Sequence, residues 1–435
     1  MGLKVMNIMA IFMFLLLAAT ASAQPRTIFD VTSATYGGKP NCDITDALAH
    51  AWRDACASPW PSRLVVPSGT YRLRGANFKG PCNAPIEVQI QGTLQAPGDG
   101  HQLVNSGYWV AFQYIDRLFL TGGGTFDGSQ GRNNYRAINV RFDFVTNSAI
   151  QDITSLDSSS YFHFNVFMCH DLTFQRLTIQ APKKSSNTDG IHIARSWRIN
   201  VTDTDIGTGD DCISIGDGTK KLIVTNVNCG PGHGISVGSL GKYSDEQPVY
   251  GLVVRNCTFT NTTNGVRIKT WPGSPVTGLA SHIHFVDITM NNVQNPIIID
   301  QNYCPGHTCN PQGPSNIKIS NIRFRNIRGT SASQVAVNLA CSQTLPCEKS
   351  ADYRAKLNQK DRRKQRRMIQ YKRPFPPVLT VHEFLPFAYC TESIDEHGLI
   401  RSKCFFICEM MMINYYVLHF FRNFVLFIVP SIQQF

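Results

Sequence analysis

The strongest constraint on this chain is a polar group that returns at a fixed interval. Asn187-Thr188-Asp189-Gly190, Gly209-Asp210-Asp211-Cys212 and Gly232-His233-Gly234 interrupt strand-like sequence. The steps from Asp189 to Asp211 and from Asp211 to His233 are both 22 residues. Recurrence on that scale marks a repeat architecture, in which each unit stacks on its neighbours. Equal steps place Asp189, Asp211 and His233 above one another on the same face, so two carboxylate positions and an imidazole are expected in one patch.

The surrounding sequence has the same rhythm. DLTFQRLTIQAP (171–182), KLIVTNVNCGPGHG (221–234) and NIKISNIRFRNIRGT (316–330) each alternate apolar or β-branched residues with polar ones and then break at Asn, Asp or Gly. Short strands with regular turn signals indicate an all-β fold. The unit length and Asn-rich corners favour a single-stranded, right-handed parallel β-helix over a sandwich, and no β-propeller blade signature is present. Asn side chains at such corners satisfy turn backbone groups. Near the start, TDALAHAWRDACA (45–57) has Ala47, Ala51, Trp52 and Ala55 at helical spacing. With Asp43 or Thr45 as N-cap, this predicts a short N-terminal helix that caps the open end of the stack. Strands are expected at 63–67, 70–73 and 86–92.

Residues 1–23 carry the secretory pattern: Lys4, an apolar run from Ile8 to Leu17, then Ala21-Ser22-Ala23. All 14 Cys follow it, and an oxidising compartment makes disulfides the expectation. Cys212/Cys229, Cys304/Cys309 and Cys341/Cys347 are reasonable bridges by proximity, with connectivity left open. Sequons at Asn200, Asn256 and Asn261 fit a secreted glycoprotein. The formal charge of +11 raises nucleic acid as a partner, but residues 348–373 alone hold eleven Lys/Arg against three acids. The basicity is local to a segment outside the motif region, so nucleic acid is not expected. The domain reading is a signal peptide at 1–23, a β-helix at 24–347, and a tail at 348–435, basic then aromatic and apolar, outside the β-helix. Residues 403–430 are long enough to span a membrane, but Glu409, Asn414, His419, Arg422 and Asn423 interrupt them, so membrane association is not expected. A monomer is.

Hydrolysis of a glycosidic bond needs one carboxylic acid to protonate the leaving oxygen and a second carboxylate to activate water or attack the sugar. Asp189, Asp210 and Asp211 supply three carboxylates on two successive units. Crowding makes it costly to ionise all three, so one should hold its proton at mildly acidic pH. His233 on the next unit is placed to hydrogen-bond that acid. In a strict strand Asp210 and Asp211 would face opposite ways, so a bend at Gly209 is expected to turn both outward. A lone Asp-Gly or Asp-Asp is an ordinary turn pair; three motifs in register are not. Arg267 and Lys269, two apart in a strand, share a face and form a cationic clamp suited to a substrate carboxylate, although a solvated surface pair would look the same. His233 to Arg267 is 34 residues, 12 beyond the repeat, and Ser239–Tyr250 is a loop-like segment of that length. Tyr303 is a candidate for sugar stacking or for a structural role.

Asn187-Thr188-Asp189, Gly209-Asp210-Asp211, Gly232-His233-Gly234 and Arg267-Ile268-Lys269 match, in order, the four hallmark motifs of polygalacturonases, the pectin-cleaving glycoside hydrolases. Over about 27–347 the chain resembles that family, with wording at 42–96 most similar to plant exopolygalacturonases of the pollen type. The resemblance implies a pectin-lyase-like β-helix with its cleft on one outer face. It also implies inverting hydrolysis of α-1,4-galacturonosyl linkages, with exo action favoured over endo, in an extracellular, cell-wall setting. By position, Asp210 resembles the general acid, and Asp189 with Asp211 the pair that activates water. His233 resembles the group that holds the acid's ionisation state. Arg267, Lys269, Tyr303 and Asn187 resemble substrate-binding residues. No metal or other cofactor is implied. The tail departs from the family pattern, which continues with further β units. Rival readings are an endo-acting enzyme, a catalytically impaired wall-binding β-helix, a hydrolase of rhamnose-containing pectin, and a calcium-dependent lyase.

Overall fold

A computed structural model describes residues 26–98, 103, 106–128, 137–157, 161–307, 309, 313–348 and 353–359. The expected signal peptide, the aromatic part of the tail and most of the basic run lie outside the described residues.

The alternation of apolar and polar residues produces short strands that pair only in parallel. Among the described residues these form a ten-stranded and an eighteen-stranded sheet, each turn of chain passing from one to the other. The result is the expected right-handed parallel β-helix. In the ten-stranded sheet Phe164, Ile191, Ile213, Ile235, Val266, Ile297 and Val337 lie in register on successive strands. All seven side chains are buried. Each buried aliphatic contributes about 1.5–3 kcal/mol relative to exposure, and the stack makes one continuous core. Because side chains alternate across a strand, the neighbouring register row faces outward: Asn165, His192, Ser214, Ser236 and Arg267.

The corners of the larger sheet explain the Asn and Asp content. Asp203, Asn226, Asn256, Asp287 and Asn326 all have φ between 52° and 57°, a conformation that Asn and Asp tolerate better than other side chains. They bond to one another between turns. Asn226 donates to Asp203 at 2.8 Å, Asn256 to Asn226 at 2.7 Å and Asn326 to Asp287 at 2.6 Å. The corner residues thus form ladders between units, beyond the expected turn bonds.

The helix forms at Thr45–Ala57 and buries Ala47, Leu48, Ala51, Trp52, Ala55 and Cys56, closing the N-terminal end against Thr27–Asp30, Ser62–Val66 and Ala76–Lys79. Ile44 occupies the N-cap position, while the Asp43 carboxylate accepts the Thr45 N–H at 2.8 Å. Cys212–Cys229, Cys304–Cys309 and Cys341–Cys347 are bridged, and a fourth bridge, Cys56–Cys82, ties the helix to the following turn. Sequence proximity gave no sign of the fourth, whose partners are 26 residues apart.

The expected end of the β-helix at 347 is too early. Glu348 bridges to Ser320, and Tyr353–Gln359 pairs in parallel with Ile317–Ser331. Arg354 and Lys356 mask an alternation in which Ala355 pairs with Ile327 and Leu357 with Gly329. Leu357 packs on the core. Charge at the alternate positions was mistaken for the end of the pattern.

Candidate active site

The three motifs sit in the turns that lead into consecutive strands Ile191–Ala194, Ile213–Ile215 and Ile235–Leu240. Backbone bonds carry the register through them. Gly190 N–H donates to Asp211 O at 3.0 Å, Cys212 N–H to Gly234 O at 2.8 Å, and His233 N–H to Asp210 O at 2.7 Å. The 22-residue steps therefore stack as expected. The insertion also falls where expected, in the loop between Ile235–Leu240 and Val249–Arg255.

Glycines are required here for two different reasons. Gly234 has φ 85°, and a Cβ there would drive into the Asn264 and Gly265 carbonyls. Gly209 has no such φ; a Cβ there would collide with the Ser185 carbonyl. Its role is close approach. The turn itself, lying before the strand starts, lets Asp210 and Asp211 escape strand alternation.

Asp211 is the centre of the cluster. It is 1% exposed. Its Oδ1 accepts from Ser236 Oγ at 2.8 Å and from Arg267 Nη2 at 2.9 Å, and its Oδ2 accepts from Lys269 Nζ at 2.9 Å. Burial alone would push the carboxyl up, but Lys269 and then Arg267 outweigh it and hold Asp211 below the usual carboxylate range. The expected cationic clamp is present on one face, and it grips the protein's own carboxylate. Lys269 is 7% exposed, which removes the solvated-surface-pair reading.

Asp189, also buried, is pushed well above the usual range, first by burial and then by the charges of Asp211 and Asp210. The nearby Ser214 hydroxyl partly opposes the shift. The neutral form of Asp189 is therefore favoured relative to that of an exposed aspartate. Asp210 is more open, with 23% of its side chain exposed. Its Oδ1 lies 3.0 Å from His233 Nδ1 and accepts the Asp211 N–H at 2.8 Å.

Tyr303 joins the cluster. Its ring centroid is 5.3 Å from Lys269 Nζ and 6.0 Å from Arg267 Cζ. Trp271 stands edge-on to it at 6.0 Å, with Lys242 Nζ 5.1 Å from the Trp271 ring. Asn187 is exposed in a left-handed turn with φ 52° and makes none of these bonds. Donor atoms of Asp210, Asp211 and His233 fall within 4.8 Å of one another. Yet both Asp211 oxygens are already engaged by cations, which supply the positive charge a metal would bring.

Sequence reading missed His192, Ser214, Ser236 and Trp271. The first three carry the same signal as the motifs: they follow one another at 22-residue steps and pair in register. Hydroxyl and imidazole groups on the outer row of an otherwise apolar strand were the clue.

Known proteins resemble this chain over most of its length. The family model described as glycosyl hydrolases family 28 matches residues 56–365. The chain belongs to glycosyl hydrolase family 28. The match runs past 347, as the strand ladder does. Among relatives of this family-28 chain, a polygalacturonase of Gossypium barbadense is 50% identical over 354 residues, covering 78% of this chain and 86% of the relative. An exopolygalacturonase of Platanus acerifolia is 49% identical over 334 residues, covering 74% and 87%. Among solved structures, an endo-xylogalacturonan hydrolase from Aspergillus tubingensis superposes with TM-score 0.65 at 24% identity, covering 77% of this chain and 95% of the other. That likeness is one of fold.

Proposed function

We propose that this family-28 chain hydrolyses α-1,4-galacturonosyl linkages of polygalacturonate with inversion, acting from chain ends, outside the cell in the plant wall. The observation that carries the reading is the convergence of Asp189, Asp210, Asp211 and His233 beside two cations suited to an acidic sugar. Relatives named polygalacturonase and exopolygalacturonase support the substrate class. Resemblance to pollen-type enzymes supports exo action. The 1–23 pattern and four disulfides support secretion, because disulfides persist in oxidising compartments.

In this reading Asp210, the most open carboxyl, protonates the leaving oxygen, and His233 holds it in place. In its ionised form Asp189 accepts the proton of the attacking water, which Asp211 orients. Because Arg267 and Lys269 already fix Asp211, a galacturonate carboxylate binds by sharing their remaining N–H donors under the Tyr303 ring. The continuation of the ladder through Tyr353–Gln359 speaks for a closed scaffold over an impaired wall-binding remnant.

Product analysis on polygalacturonic acid tests this. Monogalacturonate as the first and dominant product is expected. Mixed oligomers with a fast fall in viscosity would make the enzyme endo-acting, and unsaturated products would make it a lyase.

A further inference from the structure

The outward row of the ten-stranded sheet lies between two banks. Asp189, Asp210 and His233 stand in turns that lead into strands; the opposite bank is made by turns that follow them. Lys242 follows Ile235–Leu240, Trp271 follows Asn264–Thr270 and Tyr303 follows Asn295–Asp300. Backbone bonds hold these turns in register: Trp271 N–H donates to Leu240 O at 2.8 Å, and Tyr303 N–H to Thr270 O at 3.1 Å. Their side chains form a line outward from the catalytic cluster. Lys269 Nζ meets the Tyr303 ring, Trp271 stands edge-on to Tyr303, and Lys242 Nζ is 5.1 Å from the Trp271 ring. Tyr243, 59% exposed, brings a second ring 5.3 Å from the same ammonium. Ring faces attract a cation and place it without neutralising it.

The loop that carries Lys242 is tied down on both sides. The Glu246 carboxylate accepts three backbone N–H groups in a row, from Gly241 at 2.5 Å, Lys242 at 2.8 Å and Tyr243 at 3.0 Å. Gln247 N–H donates to the Asp217 carboxylate at 3.1 Å, and its carbonyl accepts from Gly218 at 3.0 Å. Arg195 joins Asp217 at 3.0 Å to Asp245 at 2.6 Å. The neighbouring cations are thereby committed: Arg195 to the loop, and Arg267 and Lys269 to Asp211 at 2.9 Å each. Lys242 is exposed. Among the described residues no carboxylate forms an ion pair with it.

We propose that Lys242, with the Tyr243 ring beside it, binds the carboxylate of a second galacturonate, further along the substrate than the one held at Arg267 and Lys269. The inference rests on the polygalacturonate reading and deepens it. Polygalacturonate carries a carboxylate on every sugar, so a chain lying in the cleft brings another anion past the first pair of cations. Lys242 meets that anion with a whole charge, and the Tyr243 ring offers an apolar surface to the sugar that bears it. Because the loop is already fixed, little freedom is lost on binding. Asp300, in register with Lys269, is pushed up by burial, which lessens its repulsion of a substrate carboxylate. Lys242 thus sets a preference for longer chains and takes no part in breaking the bond.

Calorimetric titration with digalacturonate and trigalacturonate, in an Asp210→Asn background, reads binding without turnover. Adding Lys242→Met is expected to weaken trigalacturonate about 5- to 10-fold, the size of one exposed charged contact, and to change digalacturonate by less than about twofold. Lys242→Arg, which keeps the charge, should leave both oligomers as they were. Added salt should narrow the gap between Lys242→Met and its parent, because exposed charges are screened. With Asp210 present, Lys242→Met should raise KM for trigalacturonate by the same factor and leave kcat in place. Equal weakening of the two oligomers, or weakening of neither, overturns the proposal. A wild type that does not cleave polygalacturonate would overturn the hydrolase reading, while the titrations would still decide Lys242. Failure of both oligomers to bind would overturn the two together.

Discussion

Two aspartates one repeat apart carry opposite electrostatics, and the cause is which neighbours each meets. Asp211 faces Lys269 and Arg267, so its ionised form is favoured. Its contribution to stability is present above the unfolded value of about 3.9 and is lost as pH falls through the lower folded value. Asp189 meets the other carboxylates in a buried site, and its neutral form is favoured. Its contribution is present below about 3.9 and is lost as pH rises through the higher folded value. Asp189→Asn should therefore stabilise the chain at pH 7 more than at pH 4, read as the difference in Tm, while ending hydrolysis. An equal shift at both pH values would contradict the raised carboxyl. Asp210→Asn should retain polygalacturonate binding and lose turnover by about 10²–10⁴-fold, the usual size of a general-acid contribution; substantial residual hydrolysis would move the acid role elsewhere. Lys269→Ala leaves a buried carboxylate with one cation in place of two. A loss of roughly 3 kcal/mol is expected, near the low end for a broken buried pair because Arg267 stays. Denaturant unfolding measures it.

At the scale of the element, each strand of the ten-stranded sheet presents one inward row and one outward row, and the site is simply the outward row with the turns that feed it. That is why Gly234 matters more than its size. It lets the turn after His233 pass under the Asn264 and Gly265 carbonyls. Gly234→Ala should cost at least ~1–2 kcal/mol for the left-handed backbone and lower kcat by displacing His233 from Asp210. A variant with the wild-type unfolding midpoint would show that the backbone can absorb the Cβ. The corner ladders act in the same way between elements. Asn226, at once donor to Asp203 and acceptor from Asn256, links three units.

For the whole molecule, closure of the ends decides whether the stack is soluble. The N-terminal end is covered by Thr45–Ala57 and the Cys56–Cys82 bridge. Toward the other end, Tyr353–Gln359 lies along Ile317–Ser331. A chain ending at 347 exposes that strand's backbone groups, and open edges pair with other chains. Such a chain should self-associate more strongly in sedimentation than one ending at 359, whose last strand is shorter. Equal behaviour would assign the covering role to other residues.

Periodicity was enough to read the β-helix, the helical cap and the gathering of Asp189, Asp210, Asp211, His233, Arg267 and Lys269, because in a solenoid sequence distance converts directly into stacking; three of the bridges were suggested by proximity along the chain, and Tyr303 stood as a candidate for either a substrate or a structural role. It was not enough for anything that depends on which way a side chain turns or what lies against it. The cations at 267 and 269 were legible as a pair on one face. That they hold Asp211 follows only from the approach of three strands, which buries all three groups together. The partner of Cys56 lies 26 residues away, across a turn whose path is fixed by packing. The strand at 353–359 was hidden because charged side chains alternate with the apolar ones, and a strand is recognised by its pairing as much as by its composition. The unequal proton affinities of Asp189 and Asp211 have the same origin: identical side chains at equivalent positions of a repeat, separated by the charges that the folded chain places beside each.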